Sequence, residues 1–288
     1  MIVISGANGR LGRAVVEELL KRVPGTEVGV SVRDPEKARD LADRGVRVRR
    51  GDFAEASSLV HAFEGAARVL IVSSNTGGEQ AVGQHRNAIA AARTAGVPRV
   101  FYTSHVGASA GSPFGPMVDH AATEAALRAS GVAFTVLRNG FYASTVPLIL
   151  GPALTTGEVA LPEDGKVSWT THADLAEATA ILLVAQDNGE STTVNLTASE
   201  AWDFERVTAL VGEISGRPVT RRMLADDDFV SSMVSRGIPE PRAVMTLGIF
   251  QASRLGQFDL VDPTLARLLG RPPESLKELL KTVTTGVR

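Results

Sequence analysis

A doubly wound parallel α/β sheet (a Rossmann fold) is what this sequence predicts, and three observations carry the prediction. Short apolar runs alternate with stretches of helical periodicity through the first half of the chain. Several of those runs, IVIS (2–5), VLIV (69–72) and FTVL (134–137), are apolar on both faces. A glycine-rich turn, GANGRLG (6–12), joins the first run to the first helical stretch. Parallel neighbours need a crossover, which the alternation supplies. Strands apolar on both faces need helices covering both sides of their sheet.

The elements follow in order. IVIS is a strand, and Leu11, Val15 and Leu19 mark a helix that runs to Arg22. EVGVSVR (27–33) is a second strand, and DPEKARDLADRG (34–45) a short helix closed by Gly45. VRVRRGD (46–52) is a strand, ASSLVHAFEG (56–65) a helix, and RVLIVSS (68–74) a strand. GEQAVGQHRNAIAAARTAG (78–96) is a long helix, and RVFYTS (99–104) the fifth strand. After the Gly/Ser/Pro loop 107–116 come a helix, VDHAATEAALRASG (118–131), and a sixth strand, VAFTVLRNG (132–140). Glycines close four of these helices, where a left-handed terminal residue is needed.

Beyond residue 150 the rhythm loosens, interrupted by Pro147, Pro152, Pro162 and several glycines. A helix over 173–186, a strand at 193–197 and an amphipathic helix after Asp203 follow. Further helices are expected near 226–235, 242–253 and 274–283. The expected division is a dinucleotide-binding domain over 1–150 and a smaller, mostly helical cap over 151–288, packed on the sheet's carboxyl edge.

Composition excludes several classes of function. The chain of 288 residues carries a formal net charge of −2, too small for a nucleic-acid or membrane-binding surface. It has no cysteine, so disulfides and thiolate metal sites are excluded. No signal peptide and no long uninterrupted apolar stretch is visible, so a cytoplasmic location is expected. A homo-oligomer is compatible with all of this.

GANGRLG places glycines at Gly6, Gly9 and Gly12. In such a turn the first glycine permits tight bending, and the second admits a diphosphate against the backbone. The third lets helix and strand pack closely. The helix start then favours the phosphates. Where an NAD-binding fold ends its second strand with an acid, this chain has Arg33, with Lys37 close behind. A guanidinium fork suits the 2′-phosphate of NADP, and Arg10 is near enough in the chain to join it. Asp34, one residue on, keeps NAD open. Asp52 is either an acceptor for the adenine amino group, with Phe53 flanking the ring, or a helix cap. Ser73, Ser74 and Asn75 end the fourth strand, beyond which ligands of open α/β sheets bind.

Five histidines (61, 85, 105, 120 and 172) show no metal-ligand spacing, and no metal is expected. His120 is either a polar helix residue or a group that orients the nicotinamide ribose or protonates the product. His172 is read as a cap or an interdomain hydrogen bond. Ser104 stands at a strand's carboxyl end without a Gly-x-Ser-x-Gly setting, which argues against a hydrolase nucleophile. Phe141 and Tyr142 are suited to stack on a flat aromatic acceptor, while Tyr102 reads as core. The loop 107–116, with Phe114, is a lid or a surface loop. The segment 245–258 walls an acceptor pocket or meets a second subunit, and Asp226, Asp227 and Asp228 read as helix capping.

The chain resembles the atypical short-chain dehydrogenase/reductases, within them the NmrA-like branch, and especially the type-2 NAD(P)H:quinone oxidoreductases. The resemblance covers nearly the whole length. It is carried by GANGRLG, VRDPEKA, GDFAEASSLVHAFEGAARVLIVSS, VFYTSHVGAS, HAATEAALRASGVAFTVLRNGFYAS, DGKVSWTTHADLAEA and AWDFERVTALVGEISGRPV. It implies NADPH as hydride donor, a quinone acceptor, and no flavin or metal. By the same resemblance Gly6, Asn8, Gly9, Arg10, Leu11, Gly12, Arg33, Ser73, Ser74 and Asn75 line the cofactor. Asn139, Gly140, Phe141 and Tyr142 sit near the nicotinamide and the acceptor.

The Tyr-x-x-x-Lys pair usual in short-chain dehydrogenases is missing. Pro116 takes the tyrosine place and His120 the lysine place, while Ser104 stands where the superfamily serine would. Reduction of an isolated ketone makes a basic alkoxide that needs a positioned acid. Reduction of a quinone makes a delocalised phenolate, for which water or a weaker donor suffices. The expectation is an NAD(P)H-dependent oxidoreductase acting on a quinone or conjugated aromatic ketone, with His120, Ser104 and Tyr142 as catalytic candidates. A tailoring enzyme that reduces polycyclic quinones before oxygenation remains open, and so does a redox-sensing regulator without turnover.

Overall fold

The computed structural model describes residues 1–151, 156–186 and 189–285. Pro152 and the last residues of the expected cap lie outside them. Seven parallel strands form the central sheet: β1 (Ile2–Ser5), β2 (Val28–Val32), β3 (Arg47–Arg50), β4 (Arg68–Ile71), β5 (Arg99–His105), β6 (Ala133–Asn139) and, after three short strands to be described, β10 (Thr192–Leu196). Their spatial order is β10-β6-β5-β4-β1-β2-β3. The order reverses between β1 and β4, so a crevice opens there beyond the carboxyl ends.

Helices cover both faces, as the strands' two-sided apolarity requires. On one face lies α1 (Arg10–Leu20), whose buried Leu11, Val15, Val16 and Leu19 recur at helical spacing. On the other lie α3 (Ala56–Phe63), α4 (Gly78–Thr94) and α5 (Gly115–Ala129). Between β2 and β3 the expected helix shrinks to a 3-10 turn, Pro35–Ala38, and the four-residue α2 (Arg39–Ala42). Only Ala38 and Leu41 are buried there, too few apolar positions to hold a longer helix against the sheet. Helix α5 begins three residues earlier than its periodicity suggests, because Pro116 fits the first turn, where its missing N–H costs nothing.

After β6 come β7 (Phe141–Tyr142), α6 (Thr145–Leu150), β8 (Glu158–Pro162), β9 (Trp169–Thr170) and α7 (His172–Val184). Then follow β10, α8 (Phe204–Ser215), β11 (Thr220–Leu224), α9 (Asp226–Ser235), α10 (Glu240–Arg254), α11 (Thr264–Leu269) and α12 (Leu276–Thr285). The chain after residue 150 contributes to both layers. α7 shares a core with α1 through Leu175, Ala176 and Leu183, and β10 pairs in parallel with β6. The rest builds a second core around Phe141, Trp169, Phe204, Phe250 and Phe258, with the two-stranded pairs β7·β9 and β8·β11.

Two expected caps differ. Thr171, not His172, caps α7: its hydroxyl accepts from the Asp174 N–H at 3.3 Å. Ala225 precedes α9, and the three aspartates fill its first turn, where they favour the positive helix start. Asp203 caps α8 as expected, accepting from the Arg206 N–H at 2.9 Å.

Candidate active site

At the switch point lies a cavity of about 640 Å³, lined by residues from the ends of β1, β2, β3 and β4. Ten of the expected cofactor residues line it: Gly6, Asn8, Gly9, Arg33, Lys37, Asp52, Phe53, Ser73, Ser74 and Asn75. Arg10, Leu11, Gly12, Asn139, Gly140 and Phe141 do not. Gly6 has φ +63°, which L side chains rarely adopt, and its N–H bonds the Ser31 carbonyl at 3.1 Å. A Cβ on Gly12 would stand 2.5 Å from the Gly6 carbonyl oxygen. Helix and turn are therefore pressed together around a backbone open to a phosphate. This cradle, which added side chains would break, fits a dinucleotide.

Arg33 is exposed at the rim, and among the described residues no ion pair engages it. Lys37 lies 3.8 Å from Asp34, a loose pair. Asp34 itself caps the 3-10 turn, accepting from the Glu36 N–H at 3.2 Å. Asn8 donates to the Asp34 carbonyl at 3.0 Å and so ties the glycine turn to the end of β2. Asp52 faces the cavity, and its Oδ1 accepts from the Ala54 N–H at 3.0 Å in the turn before α3; it does not cap that helix, whose N-cap position is Glu55.

Sequence reasoning did not place Ser31, Val32, Gly51, Val72, Thr76 or Gln84 in the lining. Nor did it find His85, which sits beneath the loop after β4 and is 2% exposed. The Ser74 N–H donates to its Nε2 at 2.8 Å, so the proton sits on Nδ1, facing Thr123 Oγ1 at 2.9 Å. That hydroxyl donates its own hydrogen bond to the Asp119 backbone carbonyl at 2.8 Å. Burial lowers the His85 pKa to about 4, so the imidazole stays a neutral strut. No short-range signal marks it; only the folding of α4 against β4 and α5 brings these groups together.

Ser104 does not face the cavity. It is 3% exposed, and its hydroxyl donates to Glu124 Oε1 at 2.7 Å. Glu124 also accepts from Arg138 and Arg128, each at 2.8 Å. Burial opposes its ionisation, but these donors outweigh burial and hold the carboxyl below its usual range. Ser104 thus belongs to a buried ionic knot between β5, α5 and β6.

His120 projects from α5 with Nδ1 2.8 Å from the Tyr102 hydroxyl. Tyr102 is core, as expected, and burial raises its pKa, so it stays protonated. Burial first, then the neighbouring His85, lower His120 to about 4. Tyr142 packs on His172, ring centres 4.3 Å apart. Burial raises its phenol pKa. Burial, followed by the Arg10 cation, lowers His172 to about 4, which sets Arg10 beside this pair. Phe141 is turned inward, 5.9 Å from Phe114 and 5.1 Å from Phe258. Gly140 has a packing reason: a Cβ there would meet Thr170 Oγ1 at 2.2 Å.

The loop 107–116 is clamped by the segment 245–258. Ser112 donates to Gln257 at 2.5 Å, and Gly248 packs against the Pro113 carbonyl. Among the described residues no group of three metal-ligating side chains gathers, and no helix is long and apolar enough to cross a membrane.

Residues 6–186 match the model of an NAD(P)H-binding family. The chain is 37% identical over 280 residues to quinone oxidoreductase 2 of Escherichia coli, covering 96% of each chain. It is 31% identical to an NmrA-like family domain-containing oxidoreductase of Aspergillus flavus, over 96% of this chain and 94% of that one. Among solved structures, the NADPH-dependent quinone oxidoreductase QOR2 of E. coli, complexed with NADPH, superposes with a TM-score of 0.93 at 34% identity, covering 98% of this chain and 99% of that one. With its switch-point cavity and glycine cradle, the chain belongs to the NAD(P)H-binding, NmrA-like oxidoreductase family.

Proposed function

We propose that this chain is an NADPH-dependent reductase that passes a hydride to a quinone or a similarly conjugated aromatic carbonyl. The observation that carries the cofactor choice is Arg33, a cation at the cavity rim with no ion-pair partner among the described residues. A 2′-phosphate supplies the missing anion, and Lys37 on the same cavity lining adds positive charge nearby. NADPH, when bound, supplies the hydride. The turn 6–12 binds its diphosphate, and Asp52 and Phe53 flank the adenine side. The loop Ser73–Thr76, braced by His85, holds the middle of the molecule.

The acceptor belongs at the carboxyl ends of β5 and β6, beside His120 and the phenylalanine cluster of the second core. Aromatic walls favour a flat conjugated ligand. The protein's part is mostly proximity and orientation. No side chain needs to act as a strong acid, since a phenolate, unlike an alkoxide, is weakly basic. His120 is the proposed proton-side residue, positioned by Tyr102.

The test follows loss of the NADPH absorbance with a panel of benzoquinones and naphthoquinones. Turnover with at least one member is expected. Tight NADPH binding with no oxidation across the panel would reject the reductase reading and favour a redox-sensing regulator.

A further inference from the structure

Two buried polar side chains lie side by side at the acceptor end, each with side-chain atoms that make no hydrogen bond. His105 and Asn139 are register partners at the ends of β5 and β6, 8% and 1% exposed. The Gly107 N–H donates to His105 Nδ1 at 3.0 Å. A neutral imidazole so engaged carries its proton on Nε2, and that atom has no partner. Neither polar atom of the Asn139 amide makes a hydrogen bond of good geometry, although the amide lies close enough to Tyr142 to oppose the burial that raises that phenol's pKa. Leaving such groups unpaired costs about 1–3 kcal/mol each, a cost that a native fold seldom keeps without use.

The surroundings say what the use is. His105 sits 5.2 Å, ring centre to ring centre, from both Phe141 and Phe258, with His120 stacked at 6.5 Å. Phe114 closes on Phe141 and Phe258. The packed cluster around these groups is aromatic and offers one N–H donor and one amide. Phe258, fully buried, lies hard against Gly107, where no Cβ fits, and packs edge-on over His105. Leu255, Leu260 and Val261 on either side of it are exposed, an apolar approach to the same point.

We infer that His105 is a catalytic residue that donates its Nε2–H to a carbonyl oxygen of the aromatic acceptor, which enters by displacing Phe258. This rests on the reductase reading above. The acceptor gains a hydride, two electrons and one proton, from NADPH, leaving NADP⁺ and a hydroquinone monoanion. The imidazole keeps its proton and stabilises that oxyanion through the hydrogen bond, and a proton from solvent completes the hydroquinone. A neutral imidazole serves as an electrophile in this way without titrating.

The experiment combines turnover with a spectroscopic readout. In protein carrying ¹⁵N-histidine, the His105 Nε2–H signal is identified by its loss in His105→Phe. Adding 1,4-naphthoquinone to the NADP⁺ complex, where no hydride is available, is expected to shift that signal downfield. His105→Phe is expected to lose about 10²-fold in kcat with naphthoquinone while binding NADPH normally. His105→Gln, which keeps an N–H donor, recovers most of the loss and guards against misfolding of the first variant. An unmoved signal in a quinone-bound complex, or a His105→Phe kcat within twofold of wild type, overturns this assignment alone. Wild-type protein that turns over no quinone overturns both it and the reductase reading.

Discussion

Replacing Arg33 with alanine tests the cofactor assignment most directly. The side chain stands at the cavity rim, exposed and free of ion pairs among the described residues, so its removal leaves no orphaned carboxylate and no cavity. The cost is confined to the phosphate contact. A guanidinium about 4 Å from a charge in a water-like medium gains about 1 kcal/mol, and a 2′-phosphate carries nearly two charges. With the charge-assisted hydrogen bond included, about 2–3 kcal/mol is expected, or about 30- to 150-fold in KM for NADPH. The KM for NADH should stay within threefold, because its ribose hydroxyl offers Arg33 no anion. Arg33→Lys should recover part of the loss, keeping the charge and losing the fork. Raising salt from about 0.05 to 0.5 M should shrink the wild-type preference, since the contact is exposed. Steady-state kinetics with both cofactors measure all of this. Equal losses for NADH and NADPH, or no loss for either, would refute the reasoning.

Three further predictions concern the scaffold. Gly12→Val puts a branched side chain on a Cβ that already lies 2.5 Å from the Gly6 carbonyl, so cofactor binding should be abolished and stability lowered by about 1–3 kcal/mol, as calorimetry and NADPH titration would show. Glu124→Ala strips the buried knot of its only carboxylate and leaves Arg138 and Ser104 unpaired, so urea unfolding should report a loss of about 3 kcal/mol with little change in NADPH affinity. Burial holds His85 near pKa about 4 and His105 near about 3, against about 6.5 in the unfolded chain. Above pH 6.5 both states are neutral there. As pH falls below 6.5 the unfolded chain takes up protons that the native state refuses. Stability should therefore drop by about 1.4 kcal/mol per pH unit for each of these imidazoles, down to about pH 4. Denaturant melts at pH 7 and 5 test this, and a His85→Gln variant with an unchanged slope would count against it.

The βα alternation, the succession of the first six strands along the chain and the glycine turn were legible because their causes are local. Apolar runs bury, glycines at fixed offsets permit the turn, and crossovers force parallel pairing. The cavity-lining residues at the strand ends were legible for the same reason: in a doubly wound sheet the carboxyl ends of the strands converge on one crevice. The short strands β7, β8, β9 and β11 were not, since two to five residues paired across long sequence gaps leave no periodic trace.

What the sequence by itself determined was a parallel sheet of the NAD(P)H-binding kind, with Arg33 at the end of its second strand, on the cavity rim. What tertiary structure alone decided was the use of the remaining polar groups. Ser104 looked catalytic from its place on β5, but alternation along the strand turns it toward α5, where its hydroxyl donates to Glu124. His105, the next residue, turns the other way, into an aromatic cluster assembled from β6, β7 and the distant Phe258. Which face a side chain takes and what closes over it depend on contacts far apart in the chain, and those come into being only when the layers pack.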